Sequence, residues 1–108
     1  MVRQINVQQL AVHLAAGQPV CLVDVRQPWE HAIAALPNSI LLPLDDLPCW
    51  TDEIQPKADA LLVVYCHHGV RSLSGAAILE RIGFENVVSL AGGIDAWSLH
   101  VDPTVPRY

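Results

Sequence analysis

A chain of 108 residues with 52% hydrophobic and 16% charged residues suits one globular domain and is too apolar for a disordered protein. The formal charge of -5 gives no electrostatic reason to bind nucleic acid or an anionic membrane, and no apolar run is long enough to span a bilayer. Three cysteines without paired spacing argue against a disulfide framework, and the N-terminus lacks the apolar core of a signal peptide, so we expect a soluble cytoplasmic protein.

Helix and strand patterns alternate in the first half of the chain. Asn6 and Gln9 form a capping-box pattern, and the apolar stripe that follows predicts a helix ending at Gly17. Residues 20–24 have the continuous apolar pattern of a buried strand. The next predicted elements are a short helix over residues 28–35, a short strand over 39–42 and a broken helical segment over 44–54.

The second half repeats this alternation. Residues 61–65 predict a strand buried on both faces, and a helix over 73–82 follows, with Ser72 as its N-cap and Gly83 after its end. Another strand is predicted over 86–90 and a short helix over 94–99, and the proline-rich tail at 102–108 is expected to lie extended on the surface. This order predicts a single α/β domain over residues 1–108, with a mostly parallel central sheet flanked by helices.

Cys66 falls where the strand over 61–65 ends and the loop at residues 66–72, hereafter the cysteine loop, leads into a helix. Open α/β sheets place their chemistry at such strand ends. The unpaired N–H groups of a tight loop and of a helix N-terminus can surround one anion, and Arg71 adds a positive charge. These features favour a thiolate and predict a nucleophilic cysteine, although a free cysteine also packs well as a small hydrophobic residue.

Asp24 and Arg26 stand at the carboxyl end of the strand over 20–24, so a parallel sheet would bring them to the same edge as Cys66. Two interpretations of Asp24 stay open. It accepts hydrogen bonds from the cysteine loop or pairs with Arg71, or else Asp24, Arg26 and Glu30 form a surface ion-pair cluster.

Three stretches, in order along nearly the whole chain, resemble the signatures of the rhodanese family and of its single-domain sulfurtransferases. LVDVR at 22–26, with Glu30, is similar to the first signature, and YCHHGVRS at 65–72 is similar to the family's active-site loop. The third signature is matched by GFENV at 83–87, LAGG at 90–93 and Trp97.

The resemblance implies a rhodanese-like fold and a sulfurtransferase activity. A sulfane sulfur would move from thiosulfate or another persulfide donor to cyanide or a thiol through a persulfide on Cys66. The backbone of the following residues would cradle that sulfur, with Asp24 and Arg26 in support; the cradle residues are His67, His68, Gly69, Val70 and Arg71. No cofactor is implied, and the partners are a small anionic sulfur donor and a thiol or cyanide acceptor, or a sulfur-relay protein.

The chain departs from the family pattern at two places. The family often carries a Gly-His-Ile-Pro-Gly-Ala turn before its third strand, where this chain has ALPNS at 35–39; Asn38 tolerates the left-handed backbone that glycine would supply. The family's strongest thiosulfate enzymes often have a basic residue directly after the cysteine. Here that place is taken by His67 and His68, which are mostly neutral at pH 7, so the resemblance does not extend to efficient thiosulfate use.

Three other interpretations use the same residues. A phosphatase or arsenate reductase also holds an anion beside a cysteine, but tyrosine-phosphatase-like loops place five residues between Cys and Arg, and this chain has four. A non-catalytic sulfur-carrier or binding module is the second, and the presence of Cys66 argues against it. A metal site built from Cys66, His67, His68 and His31 is the third; because adjacent residues rarely converge on one metal, no metal is predicted.

Overall fold

The computed structural model describes residues 2–56 and 59–108. Its strands are β1 (Arg3–Ile5), β2 (Val20–Asp24), β3 (Ile40–Leu41), β4 (Leu61–Tyr65) and β5 (Val87–Leu90). Its α-helices are α1 (Val7–Ala15), α2 (Pro28–Ile33), α3 (Arg71–Ile82) and α4 (Gly93–His100). Two 3₁₀ helices, Leu44–Cys49 and Thr51–Glu53, lie between β3 and β4. No helix in the described part of the chain is both long and apolar enough to cross a membrane.

The five strands form one parallel sheet in the order β1-β5-β4-β2-β3. The α/β architecture with a mostly parallel central sheet, expected from the alternating patterns, is therefore confirmed. Asp24, the last residue of β2, is in register with Tyr65, the last residue of β4. The two strands thus end at the same level, which brings Asp24 and the cysteine loop to one edge of the sheet.

Helices cover both faces of the sheet, which explains the continuous apolar runs of its central strands. Val63 and Tyr65 belong to one buried cluster, together with residues of α1 and α4. Leu62 and Val64 point to the other face and belong to a second cluster with residues of α3 and the 3₁₀ helices. Cys66 continues this alternation, and its side chain belongs to the second cluster.

Several predicted boundaries change in the structure. The helix predicted over 28–35 ends at Ile33, and the strand predicted over 39–42 pairs only at Ile40 and Leu41. The broken helical segment forms two 3₁₀ helices, the first of which contains Pro48. The edge strand β1 was not predicted, because a three-residue strand with two exposed positions has no readable apolar pattern.

Ser72 does not cap α3, so that part of the prediction is wrong. The helix begins two residues earlier than predicted, at Arg71, and Val70 stands at the N-cap position without a side-chain capping bond. Ser72 instead lies inside the first turn with its side chain fully buried. Its polar groups have partners in the cysteine loop and on β5, described below, and these tertiary contacts override its usual capping preference.

The tail predicted to lie extended on the surface folds back onto the domain instead. The Ser98 hydroxyl on α4 donates to the carbonyl of Val105, and Val105 and Tyr108 both pack against the first buried cluster. The turn predicted around Asn38 is confirmed, since this residue has a φ of 62°. The tail therefore brings an aromatic residue from the end of the described chain toward the edge where Cys66 lies.

Candidate active site

The sulfur of Cys66 is surrounded by hydrogen-bonding groups of its own loop. Cys66 directly follows β4 and is 1% exposed. The backbone N–H groups of Gly69 and Ser72 donate to Sγ at 3.1 and 3.3 Å. The thiol lies 3.5 Å from the hydroxyl oxygen of Ser72, to which it donates; a thiolate would accept from the same hydroxyl. This arrangement stabilises negative charge on a sulfur at this position.

Two glycines allow the loop to close around the sulfur. Gly69 has a φ of 96°, and a Cβ at this position would approach the backbone nitrogen of Gly92 to 2.9 Å. Gly93 has a φ of 60°, and a Cβ there would overlap the carbonyl oxygens of Cys66 and His67. Those two carbonyls accept hydrogen bonds from N–H groups in the first turn of α4, from Ile94 at 2.9 Å and Asp95 at 3.1 Å. The N-terminus of α4 thus holds the start of the cysteine loop.

A second serine lies behind the first. The hydroxyls of Ser72 and Ser89 are 2.7 Å apart, and both residues are fully buried. Ser89 comes from β5, so this pair links the first turn of α3 to the central sheet. The only sequence signal for Ser89 is that it is a polar residue inside the apolar run at 87–90, and it is not among the predicted site residues.

Arg71 is held by Glu30 rather than turned toward a ligand. Both of its Nη atoms donate to the Glu30 carboxylate, at 2.7 and 2.8 Å. Glu30 is 3% exposed, and its hydrogen bonds from Arg71 lower its pKa to about 2, against the opposing effect of burial. The backbone N–H of Gln27 and the hydroxyl of Tyr108 also donate to this carboxylate. The charge of Arg71 is thus neutralised at the edge of the site.

Asp24 pairs with Arg26, not with Arg71 or the cysteine loop. Arg26 donates to the two carboxylate oxygens of Asp24 from Nε and Nη2, at 2.8 and 2.7 Å, and both residues are fully buried. His31 lies 2.8 Å from the same carboxylate. The ion-pair interpretation therefore has the right partner for Asp24 but the wrong location, because this pair lies inside the domain instead of on its surface.

The two histidines of the loop differ in exposure. The His68 side chain is 62% exposed, whereas His67 is half-buried with its ring stacked between His68, at 3.8 Å, and Tyr108, at 3.9 Å. Burial, followed by the neighbouring His68, lowers the pKa of His67 below its usual value. His67 is therefore neutral at neutral pH and adds no positive charge beside the sulfur.

One group of potential metal ligands occurs in the described residues. One ligand atom from each of His67, His68 and Asp95 lies within 4.8 Å of the others. Asp95 accepts a hydrogen bond from Arg107 at 2.9 Å, and the two imidazole planes lie 28° apart in a stack. The lone pairs of stacked rings run side by side instead of converging on one point, so the group is poorly arranged for a metal ion. The absence of a metal stays a prediction.

The structure brings some of the predicted cradle residues to the sulfur and leaves others away from it. Among them, the N–H of Gly69 donates to Sγ, while the side chain of Val70 faces solvent and Arg71 binds Glu30. The second backbone donor, Ser72, lies one residue beyond the predicted set. Tyr108, which contacts both His67 and Glu30, is also absent from the predicted site residues.

Comparison with known proteins gives the family. A model of the rhodanese-like domain matches residues 6–100. A sulfurtransferase of Allochromatium vinosum is 38% identical over 105 residues, 97% of this chain and 96% of that protein. The thiosulfate sulfurtransferase GlpE of Tolumonas auensis is 37% identical, with 93% of this chain and 91% of that protein covered. Other relatives are longer, and this chain spans 20% to 38% of their length.

A solved structure agrees with these matches. The rhodanese-like domain protein from Staphylococcus aureus superposes with a TM-score of 0.82 at 29% identity, and the alignment covers 99% of each chain. The family model covers most of this chain, and relatives above 30% identity match it over nearly their whole length. This chain belongs to the rhodanese family.

Proposed function

We propose that this protein is a sulfurtransferase that carries a sulfane sulfur as a persulfide on Cys66. The observation that carries the proposal is the pair of backbone N–H groups, from Gly69 and Ser72, that donate to the cysteine sulfur. The terminal sulfur of a persulfide is anionic, and donors at this place stabilise it without protonating it. The sulfurtransferase names of the full-length relatives support the same reaction class.

The reaction would proceed in two displacements. The Cys66 thiolate attacks the outer sulfur of thiosulfate, the S–S bond of the donor breaks, and sulfite leaves with the bonding electron pair. Cyanide, or the thiolate of an acceptor, then attacks the terminal sulfur of the persulfide, and the Cys66 thiolate is released. Each step replaces one bond to sulfur by another, so no cofactor is needed, and covalent catalysis divides one difficult transfer into two easier ones.

The contacts suggest different roles for the residues around the sulfur. Gly69 and Ser72 hold the negative charge, and the Ser72 hydroxyl reorients as the sulfur changes between thiol and anion. Arg71, bound by Glu30, fixes the end of the cysteine loop more than it attracts a free anion. As donor we propose thiosulfate or another carrier of sulfane sulfur, including a persulfide delivered by a sulfur-relay protein. As acceptor we propose cyanide or a thiol.

A phosphatase or arsenate reductase fits these contacts less well. An anion loop of that kind uses its arginine to bind the oxygens of the substrate, whereas both Nη atoms of Arg71 are engaged by Glu30. The four-residue spacing between Cys66 and Arg71 also leaves a smaller loop, which suits one sulfur atom. The free cysteines fit the reducing cytoplasm, which we propose as the location.

Steady-state kinetics test the proposal. Thiocyanate production from thiosulfate and cyanide is measured for the wild type, for Cys66→Ala, and for a Cys21→Ala/Cys49→Ala control that keeps Cys66 as its only cysteine. We expect activity in the wild type and the control and none in Cys66→Ala. Thiocyanate formation that persists in Cys66→Ala contradicts the mechanism. Hydrolysis of a phosphate ester by the wild type, with no sulfur transfer from thiosulfate or from glutathione persulfide, would assign the protein to the phosphatase class.

A further inference from the structure

Tyr108 joins the two ion pairs at the edge of the site. Its hydroxyl oxygen accepts a hydrogen bond from Nη1 of Arg26 at 2.8 Å, and the hydroxyl donates to Oε1 of Glu30 at 2.9 Å. Arg26 is paired with Asp24, and Glu30 is paired with Arg71. A single phenol thus links a fully buried ion pair to the pair that holds the end of the cysteine loop.

The ring of Tyr108 makes a separate contact with the start of that loop. It stacks on the imidazole of His67 with ring centroids 3.9 Å apart and planes 8° apart. The indole of Trp29 packs against the same phenol in a T-shaped arrangement, with ring centroids 5.9 Å apart and planes 78° apart. Burial raises the pKa of Tyr108, so the hydroxyl is protonated at neutral pH, which is the form that donates to Glu30.

These two contacts reach opposite ends of the cysteine loop. His67 is bonded directly to Cys66, so its position affects where the sulfur lies. Arg71 precedes Ser72, whose N–H is one of the two backbone donors to the sulfur. The phenol ring therefore contacts the beginning of the loop, and the hydroxyl, through Glu30, contacts its end.

The tail is attached to α4 at points before Tyr108. The hydroxyl of Ser98 donates to the carbonyl of Val105, and Arg107 donates to Asp95 at 2.9 Å. Asp95 is also one of the residues whose backbone N–H holds the cysteine loop, through the His67 carbonyl. These attachments place the tail beside the same helix end that supports the loop, so the phenol is held against the loop from a fixed base.

We propose that Tyr108 is a positioning residue of the sulfur-transfer site, which keeps the N–H groups of Gly69 and Ser72 directed at the sulfur by holding His67 with its ring and Glu30 with its hydroxyl. Tyr108 does not touch the reacting atoms. Its effect on turnover rests on the proposed function, whereas its effect on the loop does not.

Amide hydrogen exchange, followed by NMR, tests the effect on the loop in the whole chain. Tyr108→Phe keeps the ring and removes the hydroxyl, and Tyr108→Leu removes both. Loss of a hydrogen bond to a charged group should open the loop more often, so exchange at Gly69 and Ser72 should be about tenfold faster in Tyr108→Leu. Tyr108→Phe should lie between this variant and the wild type, because the ring contact is retained.

Phe84→Leu is the matched control. Phe84 is a partly buried aromatic residue packed against the second cluster, beyond the far end of α3 from the cysteine loop. Its substitution should lower global stability and leave exchange at Gly69 and Ser72 unchanged relative to the slowest core amides. The proposal is overturned if Tyr108→Leu leaves the two loop amides at wild-type exchange rates. It is also overturned if exchange at the two loop amides becomes faster only by the same factor as exchange at every core amide.

Kinetics then test the effect on transfer. Tyr108→Leu should lower kcat about tenfold with a small change in KM, because the donors act on the charge of the transferred sulfur and not on donor binding. Tyr108→Phe should recover part of kcat. A positioning role would be contradicted if Tyr108→Leu speeds exchange at the loop amides but the folded variant keeps the wild-type kcat. If the wild type transfers no sulfur, the proposed function fails, and the exchange data still decide the role of Tyr108 in the loop.

Discussion

The guanidinium of Arg71 and the carboxylate of Glu30 form a two-point ion pair, with oxygen–nitrogen distances of 2.7 and 2.8 Å between residues 41 positions apart in sequence. Glu30 belongs to α2 and Arg71 begins α3, so the pair ties one helix to the end of the cysteine loop. Planar pairs of this kind fix geometry as well as charge. The shape of the loop around Cys66 therefore depends on a carboxylate outside it.

The Glu30 pair should make stability depend on acid pH. The pKa of Glu30 is lowered from 4.5 to about 2 in the folded protein, so its contribution is complete above the unfolded value and is lost as the pH falls from 4.5 toward 2. At neutral pH, Glu30→Gln should lower the free energy of unfolding by up to about 3 kcal/mol. Urea unfolding at several pH values measures this difference, which should shrink in acid.

The exposed Glu80→Gln on α3 is the control for that experiment. It should follow the wild type at every pH, because its carboxylate is solvated in both states. A constant difference between Glu30→Gln and the wild type across the acid range would show that the ionised carboxylate contributes no pH-dependent stability.

Substitutions in the buried pair of Ser72 and Ser89 should separate an effect on stability from an effect on activity. Ser72→Ala and Ser89→Ala each remove one hydroxyl of the 2.7 Å contact and leave the other without that partner, which should cost about 1–3 kcal/mol in either variant. Only Ser72 also contacts the sulfur, so only Ser72→Ala should slow sulfur transfer, by about tenfold. Chemical unfolding and steady-state kinetics of both variants measure this. An equal loss of kcat in the two variants would mean that the contact between the Ser72 hydroxyl and the sulfur does not contribute to sulfur transfer.

A side chain at Gly93 should be tolerated less well than one at Gly83, because only Gly93 packs closely against the backbone of the cysteine loop. Gly93→Ala would place a Cβ on the Cys66 and His67 carbonyls, in addition to the strain of a positive φ, whereas Gly83→Ala has a positive φ with open space around it. Gly83→Ala should lose about 1–2 kcal/mol of stability and keep its activity. Gly93→Ala should lose more stability and most sulfur transfer. Similar thermal midpoints and activities in the two variants would contradict the close packing of α4 on the loop.

The strands and helices were readable because their patterns are local. The apolar runs at 20–24 and 61–65 report burial on both faces of a parallel sheet, and the capping box at Asn6 and Gln9 is present as predicted. The edge strand β1 is too short to carry a pattern. Serine is a residue type that often caps helices. Only the contacts of Ser72 with the Cys66 sulfur and with Ser89 on β5 explain why it lies inside the helix instead.

The contacts of the site were harder to predict because they join residues far apart in sequence. Cys66 could be predicted as the nucleophile from local features, because it stands at a strand end and is followed closely by Gly69 and Arg71. Whether Arg71 pairs with Asp24 or with Glu30 depends on the path of α2, which carries Glu30 and which no local pattern specifies. Tyr108 forms a hydrogen bond with Arg26 across 82 positions. The proline-rich tail that carries it was expected to lie extended on the surface, because its composition argues against a helix and contains no signal for a distant partner.

The most direct test of the persulfide is the intact mass of the protein after one reaction with thiosulfate, for the wild type and for Cys66→Ala. The alanine variant should remain folded, because a small side chain at a strand end leaves little cavity. We predict a gain of one sulfur atom on the wild type alone, which cyanide removes again. A wild type that gains no sulfur from thiosulfate or from glutathione persulfide, or an alanine variant that gains the same mass, would contradict a persulfide on Cys66.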